Sequence, residues 1–136
     1  MSQTSLDDLA RLILRLALGI LILLHGWAKV RGGIGGIEAM LAMKGLPAFI
    51  AWGVYIGEVV APVLLIAGIW SRMAAAVIAL NMVVAVFLAH IGHLTQLTAT
   101  GGWRLELQAM FLITALAVLM LGAGRYSVAG RNGRWN

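Results

Sequence analysis

One carboxylate, Glu58, lies inside a long apolar run and is the only charged residue within residues 45–71. Four positions later, Pro62 lacks the N–H that would bond to the Glu58 carbonyl, so a carboxylate and a freed carbonyl share one helical turn. A carboxylate among apolar residues marks either a functional site or a structural ion pair. Glu58 is therefore our first candidate for proton-linked chemistry, with a pair to Arg15 or Lys29 as the structural alternative.

Histidines in two other apolar segments could exchange protons near neutral pH, because imidazole titrates there. His25 stands one helical turn before Lys29, and His90 and His93 are three residues apart. Two histidines at that spacing can bind a metal from one helix face, but they do not make a full ligand set. The chain contains no cysteine, which excludes iron–sulfur clusters and thiolate metal sites, and we predict no metal site.

These residues lie in four apolar segments, each about as long as the 20 residues that cross a bilayer. The composition, 62% hydrophobic and 11% charged, is too apolar for a soluble domain of 136 residues. The predicted spans are residues 9–28, 48–70, 73–92 and 104–122. Since the segments are continuously apolar and their connections short, we predict an all-α, up-and-down four-helix bundle forming one membrane domain over residues 1–136.

The basic residues near the span ends predict the orientation of the bundle. Six lie on the side of the termini, and four lie on the other side. The six are Arg11, Arg15, Arg72, Arg125, Arg131 and Arg134, and the four are Lys29, Arg31, Lys44 and Arg104. This bias places both termini in the cytoplasm, in a multi-pass protein of the inner (plasma) membrane.

Two further features complete the predicted topology. The outer loop, residues 29–47, contains an amphipathic segment from Ile37 to Lys44 that we expect at the membrane interface. The basic residues are scattered between apolar runs and form no stripe, so we predict the lipid bilayer, and not nucleic acid, as a partner.

Polar residues of all four helices are expected to meet in the outer half of the bundle, because neighbouring helices alternate in direction. On the first helix, one side within about 120° of arc carries Arg15, Gly19, Ile22, His25, Gly26 and Lys29. We predict catalytic roles for Glu58, His25 and His90. We predict binding of a quinone or another polar ligand by Arg15, Lys29, Tyr55 and Glu106.

Several short motifs, in this order, resemble those of the DoxX family of small four-helix membrane proteins. They are Arg15-Leu16-Ala17-Leu18-Gly19, His25-Gly26-Trp27-Ala28-Lys29, Gly57-Glu58, His90, Gly101-Gly102 with Glu106, and Gly122-Ala123-Gly124-Arg125-Tyr126-Ser127-Val128. The resemblance covers about residues 10–128, with Ala129 where the family usually has Asp. Relatives include the membrane part of thiosulfate–quinone oxidoreductases and membrane partners of oxidative-stress systems. The resemblance thus implies the fold and leaves the reaction open.

Three functions agree with these features. The first is a quinone-facing subunit of a membrane redox system, in which the histidines and carboxylates hydrogen-bond a quinone. A partner or a bound cofactor would then supply the electrons, because the chain has no evident flavin or haem motif. The second is a non-catalytic assembly factor, chaperone or accessory subunit that docks another membrane protein or further copies of itself.

The third function is a small carrier or channel with a polar path along Arg15, Asn81 and Glu58. Four helices are few for an alternating-access pathway, so this function would require an oligomer.

Overall fold

The computed structural model describes residues 2–133 and 135–136, and its regular structure is helical apart from one isolated bridge between Leu97 and Trp103. Five helices follow one another along the chain. They are α1 (Gln3–Gly32), α2 (Gly35–Met43), α3 (Ala48–Ala67), α4 (Ser71–His93) and α5 (Glu106–Leu121).

Three of these helices, α1, α3 and α4, are long and apolar enough to cross a membrane. The fourth predicted span corresponds to α5, an apolar helix of 16 residues. At 1.5 Å per residue α5 is about 24 Å long, less than the roughly 30 Å of a hydrocarbon core. The structure therefore confirms the all-α fold, and its three full-length candidate spans and one shorter apolar helix point to a membrane protein.

Helix α1 is longer than the predicted span because polar residues extend it at both ends. The Ser2 side chain accepts a hydrogen bond from the Ser5 N–H and caps the N-terminus, so the helix begins at Gln3. At the other end, the helix continues to Gly32 and stops at Gly33, which has a φ of 81°. A search for apolar runs cannot detect either extension.

The bundle is closed by contacts of α1 with α3 and α5, and of α4 with the same two helices. Its core combines large residues such as Leu18, Leu65 and Ile78 with alanines such as Ala75 and Ala115, all of them buried. Small residues let helix backbones approach closely, which matters in lipid because packing rather than water exclusion drives helix association.

Two glycines of α1, both on the helix side that carries Arg15 and Lys29, lie at its contact with α3. A Cβ atom on Gly26 would stand 2.0 Å from the carbonyl oxygen of Glu58, and one on Gly19 would stand 2.6 Å from Ile66 Cγ1. Of two glycines four residues apart in α3, Gly53 and Gly57, only one makes a close contact. A Cβ on Gly57 would meet Asn81 at 2.6 Å, whereas Gly53 has open space around it.

The C-terminal segment, of which residues 122–133 and 135–136 are described, folds across the end of the bundle where α1 begins. Asp8 of α1 forms an ion pair with Arg131 and accepts a hydrogen bond from the Arg125 N–H at 3.2 Å. This ion pair raises the pKa of Arg131 above its usual value. Both chain ends therefore lie at the same end of the bundle; Arg134, which the predicted orientation also uses, is outside the described residues.

At the opposite end, the predicted amphipathic segment forms α2, which packs on the first turn of α3 and on the C-terminal part of α4. Leu41 of α2 is fully buried there beside Ala51, and Leu88 of α4 packs against them. Helix α2 thus covers the space between the ends of α3 and α4 and does not simply rest on the bundle surface.

Candidate functional site

A cavity of about 570 Å³ lies between α2, α3 and α4. Most of its wall is apolar, with side chains such as Met40, Val54 and Leu88. Its polar side chains come from three helices: Lys29 of α1, Glu58 of α3, and Asn81 and His90 of α4. An apolar cavity with a few convergent polar groups is the usual form of a small-molecule site.

Glu58 is the buried centre of the polar group, with its side chain 8% exposed. One carboxylate oxygen is ion-paired with the Lys29 ammonium, and the other accepts a hydrogen bond from Asn81 Nδ2 at 3.3 Å. Glu58 therefore faces the interior, and its partner is Lys29, one of the two cations that the sequence offers for a structural ion pair. Both oxygens of this buried carboxyl group therefore have a hydrogen-bond partner, as buried polar groups in an apolar segment require.

Lys29 reaches the cavity from the last turns of α1, with its side chain 29% exposed. An ammonium group has three N–H donors. Among the described residues, Glu58 is the one acceptor it contacts within hydrogen-bond distance. The remaining donors can serve an acceptor in the cavity, such as a ligand carbonyl.

The backbone around Glu58 is irregular, as Pro62 predicts. Residues Ile56–Val60 form a wide π-helical turn within α3, and the Glu58 carbonyl faces the Cα atom of Gly26. Glycine is needed at this contact because any Cβ atom would collide with the carbonyl oxygen. A Cα–H···O contact of this kind partly replaces the missing N–H donor.

A second π-helical turn, Val86–His90, lies in α4 and also borders the cavity. His90 Nδ1 lies 3.1 Å from the carbonyl oxygen of Ala85, at the start of this turn. Turns of this type occur often at functional sites. Sequence reasoning missed this turn because residues 71–93 contain no proline or other local signal for it.

The other predicted site residues do not line the cavity. His25 is exposed, with its ring edge-on to Phe111 at a centroid distance of 5.8 Å. His25 stands at the edge of the α1 side whose middle is buried, so it does not join Glu58 and His90 as predicted. Tyr55 donates a hydrogen bond to the Lys29 carbonyl at 3.4 Å, and Glu106 is exposed at the start of α5.

Arg15 lies in the other half of the bundle, as its place in α1 predicts, and is 2% exposed. Its guanidinium donates to the carbonyls of Ala123 and Tyr126, so it holds the C-terminal segment and does not face the cavity. Gly68, with a φ of 73°, makes room for it, because a Cβ there would lie 2.1 Å from Arg15 Nη1. The structure therefore separates Arg15 from Glu58 and Asn81.

Metal binding has no structural support within the described part of the chain, where no three histidine, cysteine or acidic residues come together. Asn81 and the α2 residues complete the site that sequence reasoning left incomplete. Asn81 was recognisable as a polar residue in an apolar helix, whereas the position of α2 over the cavity has no local sequence signal.

Comparisons with known proteins agree with the motifs. The model of the DoxX family matches residues 10–91. An uncharacterized protein of Haemophilus influenzae is 31% identical over 121 residues, covering 82% of this chain and 81% of the relative. No solved structure matches the chain. The matched region contains Lys29, Glu58, Asn81 and His90, the four polar residues of the cavity.

Proposed function

The chain belongs to the DoxX family, and from this premise we propose that it is a membrane subunit of a redox system that binds a quinone between α2, α3 and α4. The observation that carries the proposal is the buried Glu58 carboxylate, held by the partly exposed Lys29 and Asn81 in the wall of an apolar cavity. We further propose that the protein spans the inner membrane several times, with both termini in the cytoplasm.

The residues of the cavity match the chemistry of a quinone. The quinone headgroup is neutral and accepts hydrogen bonds at its carbonyls, and the charges of Lys29 and Glu58 balance each other beside it. Lys29 has N–H donors beyond the one that Glu58 accepts. The apolar wall suits the ring and the start of an isoprenoid tail, and exposed residues at its rim such as Ile56 and Leu80 lead outward to lipid.

A bound quinone supplies reversible uptake of electrons and protons; the chain itself binds and orients it. Lys29 donates a hydrogen bond to a ligand carbonyl, Glu58 holds the ammonium in place, and Asn81 holds the Glu58 carboxylate. The apolar side chains of α2 keep water away from this group. Since the chain contains no cysteine, we propose that a membrane partner delivers or removes the electrons.

The proposal is tested by measuring the affinity of the purified full chain for a short-chain benzoquinone in mild detergent. We expect saturable binding and at least a tenfold loss in Lys29→Met, because one charge-assisted hydrogen bond contributes about 1.5–3 kcal/mol. The matched control is Lys44→Met, since Lys44 is exposed and outside the cavity.

Wild-type protein that binds no quinone, or the same affinity in wild type and Lys29→Met, would contradict the proposal. In the first case, a non-catalytic accessory or assembly role becomes the better explanation.

A further inference from the structure

The hydrogen bond between His90 and Ala85 determines which ring nitrogen carries the proton. His90 Nδ1 lies 3.1 Å from the Ala85 carbonyl oxygen. A carbonyl oxygen only accepts hydrogen bonds, so Nδ1 must be the donor and must carry the hydrogen. In the neutral imidazole, Nε2 then has a lone pair and acts as an acceptor.

This tautomer is set by the backbone of α4 and not by a mobile side chain. Ala85 immediately precedes the wide turn Val86–His90, and the His90 ring bonds to the carbonyl five residues before it. Within the described residues the Ala85 carbonyl is the one hydrogen-bond partner of the ring. His90 lines the cavity and its Nδ1 is engaged by the Ala85 carbonyl, so Nε2 is the ring nitrogen left for a ligand, whereas Lys29 offers donors.

We propose that His90 Nε2 accepts a hydrogen bond from a ligand hydroxyl, so that the cavity prefers the reduced quinol to forms that present no hydroxyl. This assignment rests on the proposed function and specifies its ligand. A quinone carbonyl next to the Nε2 lone pair would place two acceptors together, whereas a quinol hydroxyl complements it. Sites that hydrogen-bond a hydroxyl discriminate strongly against analogues that lack it.

The test compares the affinities of a short-chain benzoquinol and of its dimethyl ether for the full chain in detergent, without oxygen. For wild type we expect the quinol to bind about tenfold more tightly, since the ether forms no hydrogen bond to Nε2 and leaves this acceptor unpaired. His90→Phe keeps the ring and removes the acceptor, so the two affinities should become equal. His93→Gln is the control for the neighbouring ring, because the His93 ring lies 5.9 Å from that of His90 but does not line the cavity, and it should keep the preference.

The outcomes separate this inference from the proposed function. Equal affinities of wild type for the quinol and the ether, with quinone binding intact, overturn the role of His90 and leave the proposed function standing. No binding of quinol, ether or quinone overturns both.

A measurement without ligand tests the tautomer itself. Long-range ¹H–¹⁵N correlation spectra of the histidine rings should show the His90 proton on Nδ1, and the signal should be missing in His90→Phe. A proton on Nε2 in the neutral ring would overturn the assignment whatever the binding data show.

Discussion

At the scale of single residues, the ion pair of Lys29 and Glu58 connects stability with binding. Glu58 is almost fully buried, while Lys29 is partly exposed. Loss of either partner leaves the other charge unpaired, but Lys29 can extend toward the membrane surface, which lowers the penalty for losing Glu58. The two single substitutions therefore differ in their expected cost.

We expect Glu58→Gln to lower the free energy of unfolding in detergent by about 1–2 kcal/mol and Lys29→Met by about 2–4 kcal/mol, since only the second leaves a buried charge unpaired. The double variant Lys29→Met/Glu58→Gln should be more stable than Lys29→Met alone. Denaturant titration of all three, with Glu106→Gln as an exposed control, measures the coupling. Additive effects in the double variant would show that the pair does not act as one unit.

The sequence predicts Glu58, Lys29 and His90 as site residues because polar side chains are expensive in apolar segments, whatever their neighbours. It does not separate them from His25, Tyr55 and Glu106. Which polar side chains line the cavity depends on how each helix is rotated about its axis. It also depends on whether the polar residues in the outer half of the bundle form one site. Composition and spacing do not determine either quantity.

At the scale of helices, α1 and α3 contact each other through backbone at Gly26. Gly26→Ala places a methyl group against the Glu58 carbonyl, where the nearest atom would be 2.0 Å away. Since backbone on both helices must move apart, we expect a loss of about 1–3 kcal/mol in the free energy of unfolding. Gly53→Ala is the matched control, because Gly53 has open space around it. Equal thermal stability of wild type and Gly26→Ala would disprove this contact.

The C-terminal segment provides the N-terminal cap of α4. Asn136 Oδ1 accepts hydrogen bonds from the Ser71 N–H at 3.2 Å and from Ser71 Oγ at 2.9 Å. Residue Trp70, which precedes the helix, offers no side-chain cap and has a φ of 49°. A cap that the local sequence lacks is thus supplied by a side chain far along the chain.

We expect Asn136→Ala to destabilise the protein by about 1 kcal/mol, the usual cost of losing a cap. Asn132→Ala, at an exposed position of the same segment, should have no effect. Hydrogen exchange at the first turn of α4 reports the local change, and unchanged protection in Asn136→Ala would contradict the capping role.

Helix existence could be predicted from apolar length alone, and the predicted starts and ends are within a few residues for α3, α4 and α5. The sequence does not predict the position of α2 over the cavity or the wide turn at Val86–His90. Both depend on contacts between distant elements, such as Leu41 with Leu88, and neither leaves a periodic signal in the sequence.

At the scale of the whole molecule, the two chain ends are joined through Asp8 and Arg131 at one end of the bundle. We propose that this end faces the cytoplasm. Alkaline phosphatase fused after Asn136 should therefore be inactive, whereas the same enzyme inserted in the connection of residues 94–105 should be active. An active C-terminal fusion would reverse the proposed orientation without changing the fold.

The two ends of the bundle contain different polar groups. One end is closed by Arg15 and the C-terminal segment, whose hydrogen bonds are directed to backbone carbonyls. The other end contains the cavity with Lys29, Glu58 and His90. This arrangement does not support a continuous polar path through the bundle, because the two polar groups lie in opposite halves.

The central claim, that a quinone binds between α2, α3 and α4, is tested most directly by photolabelling. Native membranes or detergent-purified protein are illuminated with a photoreactive benzoquinone, and the labelled peptides are identified by mass spectrometry. We predict label on cavity residues such as Met40, Val54 and Leu88, removed by excess unlabelled quinol and strongly reduced in Lys29→Met. Label spread over the lipid-facing sides of α1 and α5, or label that excess quinol does not displace, would contradict the claim.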